Sequence, residues 1–192
     1  MQFDKIIHKT LDEESVDYGF LFGNNKIVFI KAGAGGEIPG YQDKYLRMAH
    51  RVHERLGATV ICVSNRTNSL EMDRRALSWC INMHRQKNVE LYFVGVSDGA
   101  YQCIFLAQNG ITKKLLAINP SFVPGRDPLD SLTLRSEVKK IFVYGTEDEE
   151  GRETLPIFNE QKIPNFEIKL VDGADHSFTG MVDKFISLVD LL

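Results

Sequence analysis

The chain has 192 residues, of which 43% are hydrophobic and 26% charged, with a formal net charge of −3. That length suits one domain, residues 1–192, with a substantial core, and the composition is that of an ordinary globular chain. The small negative charge gives no electrostatic case for nucleic acid or an anionic membrane as a partner.

Residues Met1 to Lys9 hold no apolar run of signal-peptide length, and no segment reaches the length of a membrane span. A cytoplasmic setting is the expectation. Cys62, Cys80 and Cys103 are odd in number and lack metal-ligand spacing, so they read as small buried hydrophobes. No cofactor motif and no metal motif is found, and none is expected. The composition does not fix the oligomeric state, and a homo-oligomer is compatible with it.

In chain order, short leading strands are expected around Ile6–Lys9 and Gly19–Phe22, then a strand over Lys26–Ile30. Tyr41–Leu56 reads as a helix, with Leu46, Ala49, Val52, His53 and Leu56 along one side. Thr59–Val63 is a strand of β-branched residues. Asn68 or Ser69 would cap a helix running to about Lys87. Leu91–Val94 is a strand, followed by a helix whose apolar face holds Ala100, Cys103, Ile104 and Ala107. Leu115–Ile118 is a short buried strand. Lys140–Tyr144, Glu153–Gln161, Ile168–Val171 and Met181–Leu192 continue as strand, helix, strand, helix. The alternation predicts an α/β fold of three layers, a mostly parallel twisted sheet with helices on both faces.

The junction after Val94 carries the chemistry. Gly95-Val-Ser-Asp-Gly99 matches G-x-S-x-G, the turn that lifts a serine hydroxyl out of the end of a strand. The same letters could mark a glycine turn with a surface serine; the strand before and the apolar helix after favour the nucleophile. An acid and a histidine should follow in that order. Lys140–Asp148 is an apolar strand ending in Gly145-Thr-Glu-Asp148, and Phe166–His176 is another ending in a loop with histidine. In a parallel sheet the C-terminal strand ends share one edge, so Ser97, Asp148 and His176 can meet there. Glu147, Glu149 and Glu150 crowd Asp148 and stay open as the acid; the place after Gly145 favours Asp148. His50, His53 and His84 lie on helices, and His8 lies outside any motif. Asp172 and Asp175 read as turn formers beside Gly173, and Asp98 as a solvated or site-rim carboxylate that disfavours anionic substrates.

These segments, with Tyr144–Asp148 and Gly173–Phe178, resemble the α/β-hydrolase family over nearly the whole chain. Val28-Phe-Ile-Lys-Ala-Gly-Ala-Gly-Gly36 resembles its oxyanion loop, with Ala32 where histidine is usual. The resemblance implies Ser97 as nucleophile, His176 as base, Asp148 as the acid that orients it, and the backbone amides of Ala34 and Asp98 as oxyanion donors. Pro120, Pro124, Gly125 and Pro128 leave no room for a long lid helix before Ser131. The expected site is open, rimmed by Phe122, Val123, Ile38 and Pro39. The expected activity is hydrolysis of a small-molecule carboxylic ester or thioester. An acyltransferase or lyase on the same residues ranks below it, and a non-catalytic binding protein below that. Dehalogenase chemistry needs a carboxylate at the elbow, where this chain has serine. Peptidase activity stays open, with no specificity pocket readable.

Overall fold

The computed structural model of the chain describes residues 1–11, 14–67, 70–84, 88–121, 129–160 and 162–192. The strands in chain order are β1 (Lys5–Leu11), β2 (Glu14–Leu21), β3 (Asn24–Lys31), β4 (Ala58–Val63), β5 (Glu90–Val96), β6 (Thr112–Ile118), β7 (Lys139–Gly145) and β8 (Phe166–Val171). They form one sheet in the order β1-β2-β4-β3-β5-β6-β7-β8. The β1–β2 and β2–β4 pairs are antiparallel, and every pair from β4–β3 to β7–β8 is parallel.

The helices are α1 (Lys44–Leu56), α2 (Leu70–Met83), α3 (Asp98–Leu106), α4 (Leu129–Leu134), α5 (Glu149–Glu160) and α6 (Val182–Ser187). Alternation along each strand decides which helices it meets. Ile27, Phe29, Leu91, Phe93, Phe142 and Tyr144 face one layer, where they pack with Met72, Leu77, Cys103, Ile104 and Phe158 of α2, α3 and α5. Val28, Ile30, Val94, Val96, Ile141 and Val143 face the other, against Tyr45, Met48, Ala49 and Val52 of α1 and Phe185 of α6. Because both faces are covered, the central strands read as continuous apolar runs. The three cysteines are buried and unpaired in these layers, and burial pushes each thiol up, that of Cys80 to about 12.

Several expected helices differ in detail; the one expected at Glu153–Gln161 starts a turn earlier, as α5 from Glu149. The one foreseen from Tyr41 opens as a 3-10 turn, Tyr41–Asp43, with Gln42 and Asp43 at φ 51° and 56°, so α1 proper starts at Lys44. The last one divides into α6 and a 3-10 turn, Leu188–Leu191. Between β6 and β7 the described helix is α4, six residues long. The proposed capping residues Asn68 and Ser69, and the loop residues 122–128, lie outside the described residues. No helix among the described residues is long and apolar enough to cross a membrane.

Candidate active site

Ser97 stands between β5 and α3 at φ 52° and ψ −124°, a conformation a non-glycine residue holds only when its surroundings impose it. The glycines on either side let those surroundings close in. A Cβ on Gly99 would lie 2.2 Å from the Ala32 carbonyl oxygen, and one on Gly95 would lie 2.3 Å from Cα of Ala100. Both neighbours are backbone and cannot step aside cheaply. Gly99→Ala is expected to cost about 3 kcal/mol through overpacking, a fall in melting temperature of roughly 6–12 °C. A thermal melt within 2 °C of wild type would refute the steric role. Beneath the elbow, Lys31 and Asp73 form a fully buried ion pair at 2.8 Å, and the Lys31 ammonium also donates to the Ser64 carbonyl at 3.0 Å.

Asp148 follows β7 and His176 follows β8, and the sheet brings both to Ser97. His176 Nδ1 is 3.0 Å from Asp148 Oδ1, and His176 Nε2 is 3.0 Å from Ser97 Oγ. With its Nδ1–H donating to the carboxylate, Nε2 accepts from the serine hydroxyl. Asp148 is 1% exposed, whereas Glu147 and Glu149 face solvent. Burial thus separates Asp148 from its acidic neighbours. Among the described residues its buried Oδ2 has no hydrogen-bond partner.

One side chain ties the two loops together. Asn119, buried at the end of β6 at φ 43°, donates through Nδ2 to the carbonyls of Asp175 (3.2 Å) and His176 (2.9 Å). Its Oδ1 accepts the Gly145 N–H at 2.9 Å. Asp175 shapes the same turn, accepting the amides of Ser177 and Thr179 at 3.1 and 2.8 Å. The Thr179 hydroxyl first, and then the Thr179 and Ser177 amides, hold the Asp175 carboxyl below the usual carboxylate range.

The loop after β3 keeps its shape without an imidazole at position 32. Gly35 N–H donates to the Asn65 carbonyl and Asn65 N–H to the Gly36 carbonyl, both at 2.8 Å. Gly36 N–H closes a turn onto the Gly33 carbonyl at 2.9 Å, and Gly33 N–H reaches the Tyr45 hydroxyl at 3.3 Å. Among the described residues this leaves the Ala34 N–H without a partner in that loop. The Asp98 N–H is likewise unpaired, as expected at the first position of a helix. The Asp98 carboxylate takes a different place from the site rim foreseen. Its Oδ2 accepts from Asn65 Nδ2 at 2.9 Å and from Gln102 Nε2 at 2.6 Å, bonds that turn it toward α3.

A cavity of about 540 Å³ opens on Ser97 and His176, lined also by Gly33 to Glu37, Tyr41, Lys44 and Tyr45. Pro39 lines it as expected, and Ile38 does not. The Ile38 side chain points into the core against α1, because an apolar residue on this loop gains more from burial than from the rim. Phe122 and Val123, also foreseen at the rim, lie outside the described residues.

Ser121 enters the site unforeseen, and Glu150, one of the candidate acids by sequence, enters it on the Nε2 side of His176. Ser121 Oγ lies 2.9 Å from Ser97 Oγ and donates to Glu150 Oε2 at 2.7 Å, and that oxygen is 3.9 Å from His176 Nε2. Each serine has one hydroxyl proton. When Ser121 donates to Glu150 it can only accept from Ser97, so it competes with His176 for the Ser97 proton. Its position just past β6 was the available signal. Among the described residues no cluster of side chains suits a metal ion.

No family model matches the chain, and no curated protein sequence matches it. Solved structures do. An α/β serine hydrolase homologue from Coxiella burnetii superposes with a TM-score of 0.75 at 16% identity, over 100% of this chain and 99% of that one. A dienelactone hydrolase from Anabaena variabilis gives 0.68 at 14% identity, over 97% and 94% of the two chains. An α/β serine hydrolase without a lid from Xanthomonas campestris gives 0.64 at 16%, over 99% and 95%. The chain has the α/β-hydrolase fold.

Proposed function

We propose that the chain is a serine hydrolase that cleaves a small carboxylic ester or thioester. The observation that carries this reading is the relay from Asp148 through His176 to Ser97, with both hydrogen bonds at 3.0 Å. Ser97 Oγ attacks the acyl carbon as its proton passes to His176 Nε2. Asp148 stabilises the imidazolium that forms. The oxyanion receives the amides of Ala34 and Asp98, which have no other partner among the described residues. Collapse breaks the bond to the leaving alcohol or thiol, which takes the proton from His176. Water then attacks the acyl-enzyme, giving its proton to His176, and the acid leaves as Ser97 regains its hydrogen. No step uses a metal or an organic cofactor. The cavity volume suits a small acyl group.

Intact mass after treatment with a fluorophosphonate tests the reading, because that reagent reacts with an activated serine and spares ordinary hydroxyls. Wild type is expected to gain one adduct and Ser97→Ala none. A folded wild-type protein that stays unlabelled would overturn the proposal.

A further inference from the structure

We propose that Lys44 forms a carboxylate-binding subsite in the Ser97 cavity, so that the substrate carries a negatively charged carboxylate beyond its scissile carbonyl. The word substrate rests on the hydrolase reading above; the subsite itself does not.

Lys44 is the first residue of α1 and lines the cavity together with Ser97 and His176. It also lines the adjoining cavity of about 790 Å³, so it stands where the two meet. Its ammonium rests over two rings, with Nζ 4.7 Å from the centroid of Phe185 and 5.3 Å from that of Tyr45. Ring faces hold a cation in place and leave its hydrogen-bond donors free. Burial lowers the Lys44 pKa, and the charge of Asp175 opposes that shift. Among the described residues no carboxylate lies within ion-pair distance of it.

Of the other charges around the two cavities, Lys184 lines only the outer one and is exposed to solvent, away from Ser97; the rest are engaged. Glu37 is held by Arg66 at 2.7 Å, and Arg47 by Asp183 at 2.5 Å. Asp175 is occupied by the amides of Ser177 and Thr179, and Asp98 by Asn65 and Gln102. The first amides of α1 are also taken, since Tyr45 N–H and Leu46 N–H both reach the Pro39 carbonyl. Among the described residues the cation without an ionic partner where the two cavities meet is therefore the Lys44 ammonium. A half-desolvated ammonium gains more from an incoming anion than one in bulk water does. A single point charge with three donors suits a carboxylate; planar bidentate recognition would call for arginine.

The test joins an equilibrium and a kinetic measurement. Glutaramate carries a carboxylate and an inert amide, and glutaramide is its neutral isostere. NMR titration of wild type is expected to show glutaramate binding at least about tenfold tighter, the preference vanishing in Lys44→Met and in Lys44→Gln. The ratio of kcat/KM for 4-nitrophenyl hydrogen glutarate over 4-nitrophenyl pentanoate should fall at least about tenfold in either variant. Equal binding of the two ligands by wild type would overturn the subsite, as would a preference that survives in both variants. Hydrolysis of both esters with no charge preference would overturn the subsite and leave the hydrolase standing. Lys44-dependent binding with no hydrolysis of either ester would do the reverse.

Discussion

Asp148→Asn is expected to lower kcat/KM by roughly 10⁴-fold while leaving the melting temperature unchanged or raising it by a few degrees. The two effects share one cause. Asp148 is almost wholly buried, yet among the described residues Oδ2 has no hydrogen-bond partner and Oδ1 meets His176. A buried carboxylate with half its acceptors unsatisfied carries a desolvation cost that a neutral amide of the same shape largely removes. The charge is retained because it stabilises the imidazolium during the reaction, which an amide cannot do. Activity and thermal melts of the two proteins decide the matter. Near-normal activity in the variant would mean another acid serves His176, and Glu150, 3.9 Å from Nε2, would be the first suspect. A melting temperature lower by more than about 5 °C would mean the carboxylate stabilises the fold after all.

Asn119→Gly is expected to reduce kcat about 100-fold with KM within about threefold, and to cost roughly 3 kcal/mol of stability from the buried bonds lost. Glycine tolerates the positive φ at this position, so the change removes the carboxamide without adding backbone strain. What disappears is the link between the Gly145 amide and the carbonyls of Asp175 and His176. Those groups sit on the two loops that carry Asp148 and His176. Displacements well under an ångström would lengthen both 3.0 Å bonds of the relay while the Ser97 cavity keeps its walls. Active-site titration with a fluorophosphonate separates slow turnover from a reduced folded fraction. A normal kcat per titrated site would show that Asn119 serves stability alone.

The meeting of Ser97, Asp148 and His176 at one sheet edge was legible because each follows directly on an apolar strand. Strand order and parallel pairing then leave those ends little freedom. The identity of the buried acid among Glu147, Asp148 and Glu149 follows from the turn after Gly145, where a Cβ would meet the Ala174 carbonyl at 2.1 Å. Asn119, Asn65 and Ser121 were not legible in the same way. Their hydrogen bonds run to segments 24 to 57 residues distant, or to main-chain atoms that leave no mark on composition or periodicity. Helix periodicity placed α1 well along its length and missed its start, because two left-handed residues at Gln42 and Asp43 delay the helix until Lys44. Ile38 was misplaced for a related reason: an apolar residue in a loop reads equally as rim or as core until the neighbouring helix is in position.

The loop after β3 has a consequence for how such chains diverge. The Ala34 amide, the oxyanion donor of the proposed reaction, is held in place by main-chain bonds to Asn65 and by the Tyr45 hydroxyl on the Gly33 N–H. Gly35, at φ 70°, and Gly36, where a Cβ would lie 2.8 Å from the Gly33 carbonyl oxygen, are held to glycine, but position 32 needs no imidazole to keep the amide of Ala34 in place. Selection acting on that amide would hold those glycines and leave the letter at position 32 free to drift. Ancestry would then fade from that position long before it faded from the shape of the loop.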